Sequence, residues 1–266
     1  MSEKRHRGHG FTLVELLVVL AIVGLLGGVA IPTIAKVGGF LRNDPDIAAR
    51  EMYSSMRAAR IYSTTYRVDT AVVYGLAQRA DSATALPVTV IDSYGLARQM
   101  TRAEMWSLGL PVPSGNLPYM LIQNYDAKFR KLPATSCVLS INNAYDPAVG
   151  VTANLTDIEN TEGLTPILLY DIDGRLITPL VAVPGLPDAF PAHVFLPTGT
   201  MEPQASPVAR FTVNVGPAPD ASLEDRFAVA PGERDPETNT VLPGGLLKVP
   251  VRIELFRTTG RVKMTS

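Results

Sequence analysis

The chain contains 266 residues, carries a formal net charge of −1 and has a single cysteine, Cys137. One cysteine excludes an intramolecular disulfide, and the nearly balanced charge excludes a broad basic surface of the kind that nucleic acids require. The 22 prolines and 21 glycines favour short strands separated by turns over an all-helical domain.

The first element is a long apolar run that follows a short basic leader. Residues 11–35 carry no charged side chain except Glu15. At about 1.5 Å per residue, such a run spans about 37 Å as a helix, which exceeds the roughly 30 Å of a hydrocarbon core. We therefore predict a transmembrane helix at residues 11–35. A carboxylate inside it costs roughly 2.5–3.5 kcal/mol on insertion scales, so Glu15 requires a partner.

The junction between leader and apolar run reads Gly10-Phe11-Thr12-Leu13-Val14-Glu15. This string resembles the start of type IV prepilins and pseudopilins, which open with Gly-Phe-Thr-Leu-x-Glu. The resemblance implies that a prepilin peptidase removes residues 1–10 by cutting after Gly10, and then methylates the new amine of Phe11. It also implies that the Glu15 carboxylate pairs with the terminal amine of a neighbouring filament subunit, which would offset the cost of an acid in lipid.

Two other interpretations of this region stay open. A basic leader before an apolar run also suits a secretory signal with Gly28-Val29-Ala30 as its cleavage triplet, although the run exceeds the usual length of about 7–15 residues and carries Glu15. A plain single-span anchor explains the length of the run but not the Gly10-Phe11 junction. The net charge of +2 on residues 1–10 keeps the leader in the cytoplasm and directs the rest across the inner membrane.

The helix is expected to continue beyond the membrane as residues 36–66. Pro32 removes one backbone hydrogen bond and should kink the helix, and Asp44-Pro45 suits a restart with Asp44 as the N-cap. Small and apolar residues then recur at helical spacing, which predicts a stripe that packs on a sheet: Ala48, Met52, Met56, Ala59 and Ser63. The arginines on the other faces are interpreted as solvated rather than as phosphate contacts: Arg50, Arg57 and Arg60.

Beyond residue 66 the periodicity changes from helix to strand, which predicts a β-rich globular domain at residues 67–266. The predicted strands are residues 68–74, 86–91, 119–124, 136–141, 167–171, 176–183, 193–196, 209–215, 249–256 and 261–264, with a short helical turn at 102–108. Turn signals at residues 171–174 and 258–260 each predict a hairpin. Residues 216–245 have few apolar side chains and predict a long surface excursion, with local order at 223–229.

Three short strings carry a second resemblance. They are Ala59-Arg60, Phe195-Leu196-Pro197-Thr198-Gly199 and Thr259-Gly260-Arg261-Val262. Their order resembles that in the H-type minor pseudopilins and the FimT-like minor pilins, where an Ala-Arg helix step precedes strands ending in Phe-x-Pro-x-Gly and in Thr-Gly-Arg-Val. The chain departs from this pattern between residues 75 and 164 and again after residue 216, so the filament that it joins stays open.

No catalytic motif stands out in the sequence. Two of the three histidines lie in the leader, which leaves His193, and one histidine with one cysteine cannot form a His/Cys metal cluster. Residues 171–174 open like a calcium loop, but Ala182 stands where the last acid of an EF-hand belongs, so a tight turn is preferred. Cys137 is interpreted as a small buried hydrophobe. We therefore expect no enzymatic activity, no cofactor and no metal.

Together these observations predict an α+β protein with a pilin-like fold, in which a long N-terminal transmembrane and amphipathic helix packs on a mostly antiparallel sheet. The resemblance implies a minor pseudopilin of a type II secretion system, which assembles with other pseudopilins through its N-terminal helix. The alternatives are a minor pilin of a type IV pilus, serving adhesion, motility or DNA uptake, and a pilin-like anchored binding protein. Each would be a single-pass inner-membrane protein with its C-terminal domain in the periplasm.

Overall fold

The computed structural model describes residues 44–122, 129–141, 164–182, 187–202 and 210–265. All of them belong to one compact unit, Asp44–Ser266. The predicted leader, the predicted transmembrane helix and the predicted kink at Pro32 lie outside the described residues. Within this part of the chain, no helix combines the length and the apolar composition that a membrane span requires.

Helix α1 spans Asp44–Tyr66 and carries the predicted stripe. The stripe is confirmed, because all five of its side chains are fully buried: Ala48, Met52, Met56, Ala59 and Ser63. Small side chains let the helix approach the sheet closely, and the flexible methionines fill the remaining gaps. At the start of α1, the Asp44 carboxylate accepts a hydrogen bond from the hydroxyl of Thr135, which ties the helix to the segment before a central strand.

Thirteen strands and two further helices follow in the described part of the chain. The strands are β1 Thr70–Ala80, β2 Pro87–Gln99, β3 Tyr119–Leu121, β4 Arg130–Lys131, β5 Ser136–Ile141, β6 Thr165–Tyr170, β7 Leu176–Ile177, β8 Ala189–Phe195, β9 Arg210–Pro217, β10 Phe227–Val229, β11 Leu246–Leu247, β12 Val251–Phe256 and β13 Arg261–Thr265; the helices are α2 Arg102–Ser107 and α3 Leu223–Arg226. Eleven strands form one sheet, and β10 pairs with β11. Among the described pairings, only that of β3 with β6 is parallel. The protein is therefore mixed α+β with a large, mostly antiparallel sheet.

Strand β1 pairs with both β2 and β8, and this closes part of the sheet into a ring. The path continues from β8 through β6 and β3 back to β2, so five strands form the ring. Alternate side chains of these strands fill its interior: Ala71, Val73, Ala97, Tyr119, Leu121, Ile167, Leu169, Phe190, Ala192 and Val194. Ring closure removes the open edges that β1 and β8 would otherwise present.

The opposite face of β1 belongs to the main core beneath α1. Val72, Tyr74 and Leu76 alternate with the residues inside the ring and pack in the same cluster as the stripe of α1. Beyond the ring, the sheet continues from β2 through β5, β9 and β12 to β13. These strands contribute the rest of the main core, with Val213, Ile253 and Leu255 at its centre. Helix α1 is thus covered by strands from both parts of the sheet.

Several strands differ in length from those predicted, whereas β5 matches its prediction. Strands β1 and β2 are longer because they form one extended hairpin, closed by a turn in which the Asp81 carboxylate accepts hydrogen bonds from the amides of Ala83 and Thr84. The strand predicted at residues 176–183 is only β7, which pairs with the end of β6. The hairpins predicted at residues 171–174 and 258–260 are confirmed by the β6–β7 and β12–β13 pairings.

The segment at residues 216–245 is a surface excursion only in part. Its first half is anchored by Arg226, whose side chain is 4% exposed and donates to both carboxylate oxygens of Asp81, at 2.9 and 3.1 Å, and to the carbonyl of Pro219. Burial by itself would raise the pKa of Asp81, but the hydrogen bonds from Arg226 and the turn amides hold it below its usual value. A long-range ion pair of this kind leaves no trace in local composition, so sequence analysis missed it.

We expect Met56→Asp to unfold the unit Asp44–Ser266, whereas Arg57→Asp should be nearly silent. The first change buries an unpaired carboxylate among apolar side chains and should cost more than about 3 kcal/mol. The second lies one position further along α1, where the side chain is exposed. Urea denaturation of chains shortened to Asp44–Ser266 measures both free energies of unfolding. Equal tolerance of the two variants would show that the buried face of α1 is wrongly assigned.

Candidate functional site

The residues with the most specific predicted roles lie outside the described part of the chain. They are Gly10 and Phe11 at the predicted cleavage and methylation site, Glu15 with its predicted role in assembly, and Pro32 at the predicted kink. Their roles therefore stay predictions. The described residues add the surfaces that the C-terminal unit presents to partners.

The three strings of the second resemblance meet at one place in the structure. Arg60 Nε donates a hydrogen bond to the carbonyl oxygen of Gly199 at 3.3 Å. A methyl group on Gly260 would lie 1.8 Å from that same oxygen and 3.3 Å from Arg60 Nε. Arg60 is therefore half-buried and hydrogen-bonded, which corrects the prediction that it belongs to a solvated row. Arg50 and Arg57 are exposed, as predicted.

This contact joins α1 to the loop after β8 and to the turn between β12 and β13. Gly199 and Gly260 have φ angles of 79° and 57°, in the left-handed region where a side chain is strained. The amide of Met201 donates to the carbonyl of Arg257 at 2.9 Å, so the two loops are also joined by backbone. The three strings thus mark a packing requirement, since only glycine permits this close approach.

The exposed face of α1 and strand β13 enclose a surface groove, which we call the α1–β13 groove. Its volume is about 540 Å³, and its lining consists of Tyr53, Arg57, Arg60, Ile61, Arg261, Val262, Lys263 and Met264. An adjoining depression of about 820 Å³ continues along α1 and shares Tyr53, Arg57 and Ile61. Four lining residues are cationic, and none of the described lining residues is acidic.

A second cavity, of about 360 Å³, lies beside β3 and β6 and is acidic. Asp69 and Glu202 both line it, and Glu202 Oε2 accepts a hydrogen bond from Thr165 Oγ1 at 2.8 Å. Burial, together with the negative charge of Glu202, raises the pKa of Asp69. Its walls include four prolines: Pro111, Pro113, Pro118 and Pro166. The described residues contain no group of three His, Cys, Asp or Glu side chains that could hold a metal ion.

His193 is buried in the main core and does not face either cavity. Its Nδ1 lies 2.6 Å from the hydroxyl of Tyr74, and its Nε2 has no hydrogen-bond partner among the described residues. Burial lowers the pKa of His193 to about 3, so the ring is neutral in the folded protein. Cys137 is also fully buried, as predicted, and burial raises the pKa of its thiol to about 12. Neither group is accessible for surface chemistry.

Comparison with known proteins identifies the N-terminal segment. Residues 5–31 match the family model of the prokaryotic N-terminal methylation motif. The chain therefore carries a type IV prepilin-like signal, as the string from Gly10 to Glu15 predicted. Such a motif implies processing by a prepilin peptidase and assembly with pilin-like subunits, and it is typical of membrane-anchored pilins. No curated protein and no solved structure matches the chain.

Gly260→Ala should destabilise the unit far more than Gly109→Ala does. Both glycines have positive φ, at 57° and 70°, so each substitution incurs the left-handed penalty of roughly 1–2 kcal/mol. Gly260 faces the Gly199 carbonyl, whereas no atom of the described residues lies within 4 Å of a Cβ placed on Gly109. We expect an additional loss of at least about 2 kcal/mol for Gly260→Ala, measured by urea denaturation. Equal losses would show that the close contact is not required.

Stability should fall as the pH decreases below about 6.5 because of His193. Between the unfolded pKa of 6.5 and the folded pKa of about 3, the unfolded chain binds a proton that the folded core excludes. The free energy of unfolding should therefore decrease by up to about 1.4 kcal/mol per pH unit. His193→Gln removes this dependence and keeps an acceptor for the hydroxyl of Tyr74. The measurement compares the parent Asp44–Ser266 chain with its His193→Gln variant. If their free energies of unfolding changed equally with pH, His193 would not be the source of the dependence.

Proposed function

We propose that this protein is a minor pseudopilin of a type II secretion system. The observation that carries the proposal is the methylation motif at residues 5–31, which implies a processed subunit that assembles with pilin-like partners. The role is mechanical rather than catalytic: apolar N-terminal helices pack side by side in a filament, and the β-rich units lie outside it. A short filament of this kind would push secreted proteins towards an outer-membrane channel.

Two features of the described unit support a pilin-like arrangement. An amphipathic helix at its N-terminal end, α1, packs its buried stripe on a mostly antiparallel sheet. In addition, the three strings shared with H-type pseudopilins and FimT-like pilins meet at the Arg60–Gly199 contact. This convergence supports the subtype, because strings that match by chance have no reason to come together in space.

Glu15 has a specific task in this proposal. Once Gly10 is removed with the leader, each subunit carries a positive charge on the methylated terminal amine of Phe11. A carboxylate at position 15 of a neighbour supplies its counter-charge, so assembly replaces an unpaired acid in lipid with an ion pair. The remaining contacts between N-terminal helices in the filament core are formed by apolar side chains, and van der Waals packing holds these helices together.

The same motif also serves type IV pili, so the second candidate is a minor pilin of a retractable pilus. The two functions differ in what a loss of the protein abolishes. Deletion of the gene should block release of exoproteins if the protein belongs to a secretion system, whereas surface pili should disappear if it belongs to a pilus. Normal exoprotein release in the deletion strain would refute our proposal.

Glu15→Leu should yield a stable, processed subunit that does not assemble. Removing the charge favours insertion into the membrane but leaves the amine of Phe11 without its partner. In the deletion strain, mass spectrometry should find the variant starting at a methylated Phe11, while exoprotein release stays blocked. Gly10→Val is the control, because a branched residue at the cut crowds the peptidase cleft and should retain the leader. Normal secretion with Glu15→Leu would exclude the ion-pair role.

A further inference from the structure

Strand β13 forms one end of the large sheet. It pairs with β12 from Arg252↔Thr265 to Phe256↔Arg261, and no second neighbour is present among the described residues. The opposite edge of β13 therefore presents backbone amides and carbonyls that can pair with another strand. This edge borders the α1–β13 groove, since four consecutive residues of β13 line it.

The side chains of β13 divide the edge into a basic side and an apolar side. Arg261 and Lys263 are exposed on one face, whereas Val262 and Met264 point to the side of the core and α1. On the α1 side, Ile61 is 60% exposed and offers apolar surface to an occupant of the groove. A strand placed beside β13 would therefore meet cations on one face and apolar side chains on the other.

The cations of the groove are not neutralised by the described part of the chain. Arg57, Arg261 and Lys263 form no ion pair with a described residue, and Arg57 only stacks over the ring of Tyr53 at 5.6 Å. Glu254 stands opposite Lys263 in the β12–β13 register, but its carboxylate is held by Arg210 Nη1 at 3.0 Å. The uncompensated positive charge attracts an occupant that carries carboxylates.

We propose that the α1–β13 groove binds an extended segment of a partner protein in which carboxylate and apolar side chains alternate. The segment adds to the edge of β13 as a further strand, and its backbone pairs with that of β13. Its carboxylates lie two residues apart, which matches the spacing of Arg261 and Lys263 on one face. Its apolar side chains lie towards Ile61 and Met264. The proposal rests on the groove and does not depend on the kind of filament.

A peptide partner fits these features better than a nucleic acid does. An open strand edge supplies directional hydrogen bonds to a peptide backbone, and a phosphodiester chain cannot use them. The ring of Tyr53, which lines the groove, is also engaged already, since Arg57 lies over it at 5.6 Å; in the adjoining depression, the rings of Tyr62 and Tyr66 lie against each other at 4.3 Å. Few ring faces are thus left for the base stacking on which single-stranded nucleic acids depend.

The test uses the full chain in detergent micelles and a fluorescent peptide of Glu-Val repeats, with binding followed by anisotropy. Two further peptides separate charge from backbone pairing: one has Gln in place of Glu, and one has N-methylated amides at alternate positions. We expect the Glu-Val peptide to bind at least about tenfold more tightly than either, a difference of about 1.4 kcal/mol. Equal binding of all three peptides would overturn the proposal.

Matched variants locate the site. The double change Arg261→Gln and Lys263→Gln should weaken binding of the Glu-Val peptide about tenfold. Ile61→Gln should weaken it as well, because it removes apolar surface that faces the other side of the peptide, and this change leaves β13 intact if the double variant is poorly folded. Arg50→Gln is the control, because Arg50 is exposed on α1 but does not line the groove. An equal loss with Arg50→Gln, or tighter binding of an oligothymidylate of the same charge, would also overturn the proposal.

Discussion

The packing of α1 on the sheet is the interaction on which the rest of the described structure depends. Its stripe of small residues and methionines lies in the same core as side chains from β1, β2, β5, β8, β9, β12 and β13. Strands that are distant in sequence are held together because they all bury apolar surface against this helix. The contact of Arg60 with Gly199 completes the arrangement, since it joins the same helix to the loop after β8 and to the turn between β12 and β13. With one face of α1 committed to the core, the exposed face is left for partners in the described part of the chain, and the α1–β13 groove lies there.

The functional features of the chain are divided between two segments with different physical requirements. In the proposed function the N-terminal segment would act through a short linear string, in which Gly10 permits cleavage and the Glu15 carboxylate requires a counter-charge. The C-terminal unit would act through surface shape and charge, which arise only when distant residues come together. In the proposed pseudopilin, the first segment would hold the subunit in a filament and the second would select what the subunit contacts. The basic groove and the acidic cavity give the unit two surfaces of opposite charge.

How far the fold was predictable depended on how local its signals are. The stripe from Ala48 to Ser63, strand β5 and the hairpin turn at Asp171 all follow from patterns within about 20 residues, and the structure contains each of them. The pairing of β1 with β8, the parallel pairing of β3 with β6 and the ion pair of Arg226 with Asp81 join residues that are far apart. The periodicity of a sequence does not indicate such contacts, because a strand has the same alternating pattern whichever neighbour it pairs with. The burial of Arg226 was missed for the same reason, since its partner Asp81 lies 145 residues away along the chain.

The sequence by itself determined the processing signal, because a peptidase recognises a linear string of residues. Insertion into a membrane likewise depends on the length and charge of an apolar run. It also determined the buried face of α1, since helical spacing places those residues on one side whatever they pack against. Only the tertiary structure decided that Arg60 is held by a backbone carbonyl rather than by water. It alone placed Arg57 and Lys263 in the lining of one groove, although about 200 residues separate them along the chain. The physical reason is that the position of a charge in space depends on how the helix packs on the sheet, and that packing is a property of the whole unit.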